Sequence, residues 1–239
     1  MRKFFLIWTV VASVMPLLLG AAPGTSYLPP DSDDFRAILD DPPAKGSEET
    51  RRELEIVLRE QSRRTPADVA RIQAEADRMV VAFAEVLGPK MTASNLPLTF
   101  ALIRNAGNDT GERIEESKRV WNRSRPYEDD GRIKPSIALP TGSSYPAAIA
   151  VSARIYAVLL GELFPEKRSA LLARGWLIGW GRVMAGVHYP SDVSAALKLG
   201  DYFAQRLLSS PGFRADLEKA KAECQRVFAQ PSPQPYSRP

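Results

Sequence analysis

The sequence predicts an all-α, single-domain helical bundle, and three observations carry that expectation. Apolar residues recur at helical spacing through nearly every stretch after Ser47. No stretch alternates apolar and polar residues as a half-buried strand would, and no internal repeat is visible. Prolines stand where helices open, at Pro66, Pro146, Pro190 and Pro211.

Taken in order, the chain begins Met1-Arg2-Lys3 and then runs apolar from Phe4 to Leu19 before Gly20, Ala21 and Ala22. A basic start, a short apolar run and small residues are the pattern of a secretory signal peptide, expected over residues 1–22. The run falls short of the roughly 20 apolar residues that a membrane span needs. The later apolar stretches carry Arg154, Glu162 and Arg182, so no stable membrane insertion is expected, and the periplasm or the exterior is the expected location. Residues 23–46 are rich in Pro and Asp and read as an extended arm, with Leu28, Phe35, Ile38 and Leu39 available to pin it. Residues 47–229 form the expected helical domain, and 230–239 a Pro/Ser-rich tail.

Within that domain about seven helices are expected from the apolar spacing. The first covers 48–64, with Leu54, Val57 and Leu58 on its apolar face. Thr65-Pro66-Ala67-Asp68 is a capped start, and the helix it opens presents Val69, Ile72, Ala76, Met79, Val80 and Phe83 inward before Gly88-Pro89 stops it. The next covers 96–125, with an expected interruption over 105–110, where Ala106-Gly107-Asn108-Asp109 is a weak helix sequence, and a stop at Arg125-Pro126. A polar loop over 127–144 follows. Helices over 146–164, 166–185, 190–208 and 211–228 complete the bundle.

Net charge is +4 at pH 7, with both signs mixed along the helices, and Arg2 and Lys3 would leave with the signal. That is too mild for a nucleic-acid partner. Cys224 is the only cysteine, so no internal disulfide can form. It reads either as a helix residue without a role or as the link of a covalent dimer, and a homo-oligomer stays open.

Three stretches carry chemistry. In the first, Lys118 and Arg125 lie seven residues apart, about two helical turns, so both cations can point from one helix face and clamp a phosphate. The alternative is a solvated basic helix end. In the second, Gly186-Val187-His188-Tyr189-Pro190-Ser191-Asp192 places a histidine just ahead of a helix start, with Arg182 six residues upstream. Asp192, four residues on, can take a hydrogen bond from one imidazole nitrogen and leave the other as a nucleophile, while unpaired amides at the helix start favour an anion. The alternative is a capped helix with an incidental histidine. His188 is the only histidine, which excludes a multi-histidine metal site. The third stretch, Pro140 to Ile149, reads by itself as a turn leading into a buried helix.

In this order and spacing, the stretches resemble the superfamily of type 2 phosphatidic acid phosphatases, class A bacterial non-specific acid phosphatases and vanadium haloperoxidases. Its signature runs Lys-x6-Arg-Pro, then Pro-Ser-Gly-His, then Ser-Arg-x5-His-x3-Asp. The first part is complete as Lys118, Arg125 and Pro126; the third is present as Arg182, His188 and Asp192, with Gly181 in place of the serine. Tyr27-Leu28-Pro29-Pro30-Asp31-Ser32, Gly142-Ser143-Ser144-Tyr145-Pro146 and residues 213–223 resemble the class A acid phosphatases beyond the signature. The second part is altered: Ala147, Ala148 and Ile149 stand where the family has Ser, Gly and His.

The resemblance implies a fold of the phosphatidic acid phosphatase and haloperoxidase type. It implies His188 as nucleophile of a phosphohistidine mechanism, oriented by Asp192, with Lys118, Arg125, Arg182 and the Ala148 amide binding the phosphoryl oxygens. The implied ligand is a phosphate monoester or inorganic phosphate, with vanadate as inhibitor and no cofactor or metal. The family's general acid falls at Ile149, which has no proton to give. Tyr145, Ser143, Asp129 or a water are the candidate substitutes. Two readings follow, an impaired phosphomonoesterase and a non-catalytic binder of phosphate or a phosphorylated ligand. A haloperoxidase is a third, for which the chain is short. An Ala148 methyl would crowd the pocket if that position required positive φ.

Overall fold

The structure, a computed structural model, describes residues 26–29, 33–77 and 79–229. The expected signal segment, residues 23–25 and 30–32 of the arm, residue 78 and the tail lie outside the described residues. Eleven α-helices follow one another among them: α1 Phe35–Ile38, α2 Glu48–Arg63, α3 Pro66–Asp77, α4 Met79–Ala82, α5 Ala84–Leu87, α6 Pro97–Arg119, α7 Pro126–Asp129, α8 Ala148–Leu163, α9 Arg168–Met184, α10 Pro190–Ser209 and α11 Pro211–Ala229, with a 3-10 turn at Pro165–Lys167. No strand occurs among the described residues.

α8 sits at the centre because most of its surface is apolar: Ala150, Val151, Ala153, Ile155, Ala157, Leu159 and Leu160 are all fully buried. Its neighbours approach closely on small residues. A Cβ at Gly175 of α9 would stand 2.9 Å from the Ala153 carbonyl oxygen, and one at Gly200 of α10 would stand 3.0 Å from that of Val151. α9 and α10 therefore lie against the backbone of α8, which brings their facing ends to the start of α8. On the far side, Glu223 of α11 caps α6, accepting from the Leu98 and Thr99 amides at 3.0 and 2.9 Å. The Cys224 beside it is buried with its Sγ 3.4 Å from Thr99 Oγ1, so it is not presented to a second chain.

The structure corrects four sequence expectations. Residues 105–110 do not interrupt α6. Ala106 and Thr110 are buried there, and Gly107 leaves room for the Tyr156 ring, so packing outweighs weak propensity. The segment after Thr65 breaks at Phe83, between α4 and α5; residue 78, between α3 and α4, and the Ala76 side chain lie outside what is described. Thr65 and Asp68 cap it reciprocally, as their spacing implies, and Gly88 ends it at φ 89°. Helix α8 opens at Ala148, two residues after Pro146.

The fourth correction concerns Lys118 and Arg125, which do not share a helix. α6 ends at Arg119, Asn122 turns the chain at φ 47°, and Arg125 is the residue ahead of α7. The two cations meet across a turn. The arm residues Leu28, Phe35 and Leu39 are buried, and Asp33 binds the Arg113 guanidinium at 2.8 Å and the Tyr202 hydroxyl at 2.8 Å.

Candidate active site

The end of α9 sets the site. Gly186, at φ 78°, closes the helix: its amide donates to Val183 O and that of Val187 to Arg182 O. This is the Schellman arrangement, which needs a left-handed residue at that point. A Cβ on Gly186 would also meet Ile133 Cγ2 at 3.0 Å. Two residues later His188 enters, directly ahead of α10, and is 3% exposed.

Both imidazole nitrogens are engaged. Nδ1 lies 3.2 Å from Asp192 Oδ2, and Nε2 lies 3.2 Å from Arg125 Nη1. An ionised carboxylate only accepts and a guanidinium only donates, so the neutral ring carries its proton on Nδ1 and its lone pair on Nε2. Burial pushes the His188 pKa down to about 4; the charges of Arg125 and Arg182 add to the shift and Asp192 opposes it. Asp192 is fully buried, and its Oδ2 also accepts from the Tyr189 amide at 2.8 Å and the Ser144 hydroxyl at 2.5 Å. Its Oδ1 accepts from Arg123 Nη1 at 2.6 Å. Burial works against this carboxylate's charge, but the His188, Arg123 and Ser144 contacts prevail and hold its pKa below the usual range.

Around Nε2 the structure gathers cations. Lys118, Arg125 and Arg182 are all buried. Burial lowers the pKa of each, and neighbouring positive charge from Arg125 lowers Lys118 and Arg182 further, Arg182 to about 10. Arg182 makes no hydrogen bond or ion pair to the described residues, and its buried Nε has no partner. Lys118 has only a loose pairing with the exposed Glu115, at 3.6 Å. Arg125 is different. Its Nε donates to Gly142 O, Nη1 to Val187 O and His188 Nε2, and Nη2 to Thr141 O and Ser143 O, at 2.8 to 3.3 Å. All five donors of the guanidinium are occupied. In this arrangement Arg125 frames the loop and contributes charge, while Arg182 and Lys118 hold the unspent N–H groups.

Ala148 is the first residue of α8, whose N-cap, Ala147, gives no side-chain cap. Ala147 N–H donates to Asp192 O at 3.1 Å, which ties the start of α8 to that of α10. Ala148 is helical, and Asn122 is the non-glycine residue at positive φ among the described residues, so the Ala148 methyl imposes no backbone strain. Ile149 is half-buried against the core. The substitute acids are committed elsewhere. Tyr145 donates to Asp40 O at 2.6 Å, and burial pushes its pKa up to about 12. Ser143 Oγ donates to Tyr145 O at 3.3 Å and accepts from the Arg123 amide at 2.9 Å. Asp129 takes the Ser124 and Tyr189 hydroxyls at 2.6 and 2.7 Å and pairs with Lys45; against the opposing effect of burial, these contacts keep its carboxyl below its ordinary pKa. Gly181, where the family has serine, faces α3: a Cβ there would stand 3.0 Å from Ile72 Cγ1.

Residues 96–214, about half of the chain, match the family described as the PAP2 superfamily. The chain belongs to the PAP2 superfamily. Its similarity to a non-specific acid phosphatase of Providencia stuartii is 33% identity over 147 residues, 59% of either chain. A non-specific acid phosphatase of Salmonella typhimurium shares 30% over 146 residues, 59% of this chain and 58% of the relative. A lipid A 1-phosphatase of Rhizobium etli shares 34% over 91 residues, 36% of this chain and 39% of that one. The chain thus spans about three fifths of the length of the acid phosphatases it matches. This PAP2 chain has no described helix long and apolar enough to cross a membrane, and no described cluster of His, Cys, Asp and Glu suited to a metal.

Arg123, Glu53 and Ser144 gave no sequence signal as site residues. Arg123 sits inside the first motif stretch, where its approach to Asp192 depends on the turn at Asn122. Glu53 lies on α2 among other charges, and nothing local distinguishes it.

Proposed function

We propose that the chain is a phosphomonoester hydrolase that works through a phosphohistidine at His188 and lacks a built-in general acid. The observation that carries the reading is Arg182, whose buried Nε has no hydrogen-bond partner, beside an imidazole whose lone pair faces the same cluster. A buried guanidinium with an unpaired N–H is costly and is relieved by a bound anion. The phosphoryl oxygens would be taken by Arg182, Lys118 and the first amides of α8, with the Arg125–Nε2 contact exchanged for contact with phosphate.

In the first step the Nε2 lone pair forms the N–P bond in line as the P–O ester bond breaks. The ring becomes positively charged while its Nδ1 proton stays hydrogen-bonded to Asp192, whose charge offsets it. The departing oxygen needs a proton, and Tyr145, Ser143 and Asp129 are spent, so it must come from water or not at all. A general acid is worth about 10²- to 10⁴-fold. Aryl phosphates, whose leaving groups depart unprotonated, are therefore the favoured substrates. Water then attacks phosphorus, the N–P bond breaks, and phosphate is released.

Turnover of p-nitrophenyl phosphate should be measurable and lost in His188→Ala, and a reactive aryl phosphate should leave a phosphorylated His188 detectable by mass spectrometry. Turnover equal to that of the variant would remove the enzyme reading. The second reading, a non-catalytic phosphate binder inhibited from turnover, draws on Ala147, Ala148 and Ile149 and on the covering of Nε2 by Arg125; orthovanadate binding without turnover would establish it. Export to the periplasm through residues 1–22 belongs to the same proposal, checked by the mass of the mature chain.

A further inference from the structure

The reaction just proposed leaves two buried charged residues unused. Glu53 and Arg123 have side chains 8% and 7% exposed. Glu53 belongs to α2, outside the residues that match the superfamily. Its Oε2 accepts from Arg123 Nη2 at 2.8 Å and from Ser191 Oγ at 2.9 Å, and its Oε1 from the Ser191 amide at 2.6 Å. Arg123 Nη1 donates onward to Asp192 Oδ1 at 2.6 Å and to Ser191 Oγ at 2.7 Å. The guanidinium lies 4.0 Å from the Tyr189 ring centroid. Its backbone is fixed as well, since Arg123 N–H donates to Ser143 Oγ and Arg123 O accepts from the Ser144 amide.

A buried ion pair is by itself a weak source of stability, because desolvation offsets most of the attraction. Here the pair ends on the carboxylate that holds the nucleophile. Asp192 has four contacts, three converging on Oδ2 and one, from Arg123, holding Oδ1, so the guanidinium fixes the second oxygen of the carboxylate. We propose that Glu53 and Arg123 are positioning residues for His188: Glu53 orients the guanidinium, which locks Asp192 so that the imidazole keeps its proton on Nδ1 and presents Nε2 to phosphorus. α2 is thereby part of the active site although it touches no substrate. The charged groups facing His188 are Asp192, Arg125 and Arg182, with Lys118 beyond Arg125 and the Glu53–Arg123 pair behind Asp192. The kinetic arm of the test rests on the phosphatase reading; the spectroscopic arm does not.

His188 is the only histidine, so selective ¹⁵N-histidine labelling of the full chain reports one imidazole. The wild type should show a single Nδ1–H tautomer. Arg123→Ala and Glu53→Gln should show averaged tautomer shifts. They should also lose about ten- to a hundredfold in kcat on p-nitrophenyl phosphate, as small misplacements of a reacting group do. Orthovanadate Kd should stay within about threefold of wild type, since neither residue contacts the anion. Arg123→Lys should recover part of kcat. A wild-type tautomer in both variants overturns the proposal, whether or not the protein turns over substrate. Orthovanadate affinity that falls in step with kcat also overturns it, by making Arg123 a phosphate ligand. Should Arg123→Ala not fold, Glu53→Gln, which keeps the size of the buried side chain, decides alone, and a wild-type tautomer and kcat there reject the assignment. A wild type with the fixed tautomer but no turnover sinks the phosphatase reading and leaves the positioning assignment to the spectra.

Discussion

The junction of α9 with α10 and the start of α8 meet, and they differ in what they supply. At the junction, Gly186 turns the chain, His188 enters, and Asp192 bonds it while three further hydrogen bonds hold the carboxylate. At the start of α8, Ala147, Ala148 and Ile149 supply backbone but no side-chain donor. The contrast separates two requirements of phosphoryl transfer. Holding and attacking phosphorus needs fixed charge and a lone pair, which the junction and its cations provide. Releasing an alkoxide needs a proton, which no side chain at the α8 start can supply.

The sharpest way to break the junction side is Asp192→Asn. The amide removes the charge that offsets the phosphorylated imidazole and can turn its NH₂ toward Nδ1, so kcat should fall by about 10³- to 10⁴-fold, measured on p-nitrophenyl phosphate. A drop under tenfold would mean that Asp192 only caps α10. On the α8 side, the triple reversion Ala147→Ser, Ala148→Gly, Ile149→His should raise turnover of alkyl phosphates by about 10²-fold or more and that of aryl phosphates much less. Equal gains across a leaving-group series would show that something other than a proton donor is missing.

The pH profile sharpens the comparison further. As the proposed nucleophile, His188 would attack only when unprotonated, and burial pushes its pKa from the ordinary 6.5 down to about 4. Activity, measured as kcat/KM, should therefore hold through mildly acid solution and fall as pH drops through about 4. Between pH 6.5 and about 4 the unfolded chain takes up a proton that folded His188 refuses, so folding stability should decline over the same window as pH falls. An acid limb near 6.5 would show that the imidazole is not buried in the working enzyme. The smallest effect is expected at Gly181→Ser. The new Cβ meets Ile72 Cγ1 at 3.0 Å, and overpacking of this kind costs about 1 kcal/mol, read as a shift in urea midpoint with kcat little changed.

Much of this was legible because it is local. Helical spacing and proline openers give the run of α2, α8, α10 and α11, and the Gly186 turn, the Pro190 start and the four-residue step to Asp192 give the His188–Asp192 pair. Spacing misled where a distant packing partner intervenes. Gly107 reads as a helix breaker until the Tyr156 ring fills its side of α6, and Lys118 and Arg125 read as one helix face until Asn122 turns the chain.

The sequence by itself determined the helical class, the first and third motif stretches, the apolar residue at 149 and the solitude of His188, since each depends on residue identity or on contacts within a turn or two. Only the tertiary structure decided that Arg125 is spent on carbonyls and His188, that the buried Nε of Arg182 has no hydrogen-bond partner, and that Glu53 reaches Arg123 from α2. An arginine's five donors are claimed by whatever the fold brings within 3 Å or so, and here those groups come from segments up to 70 residues away.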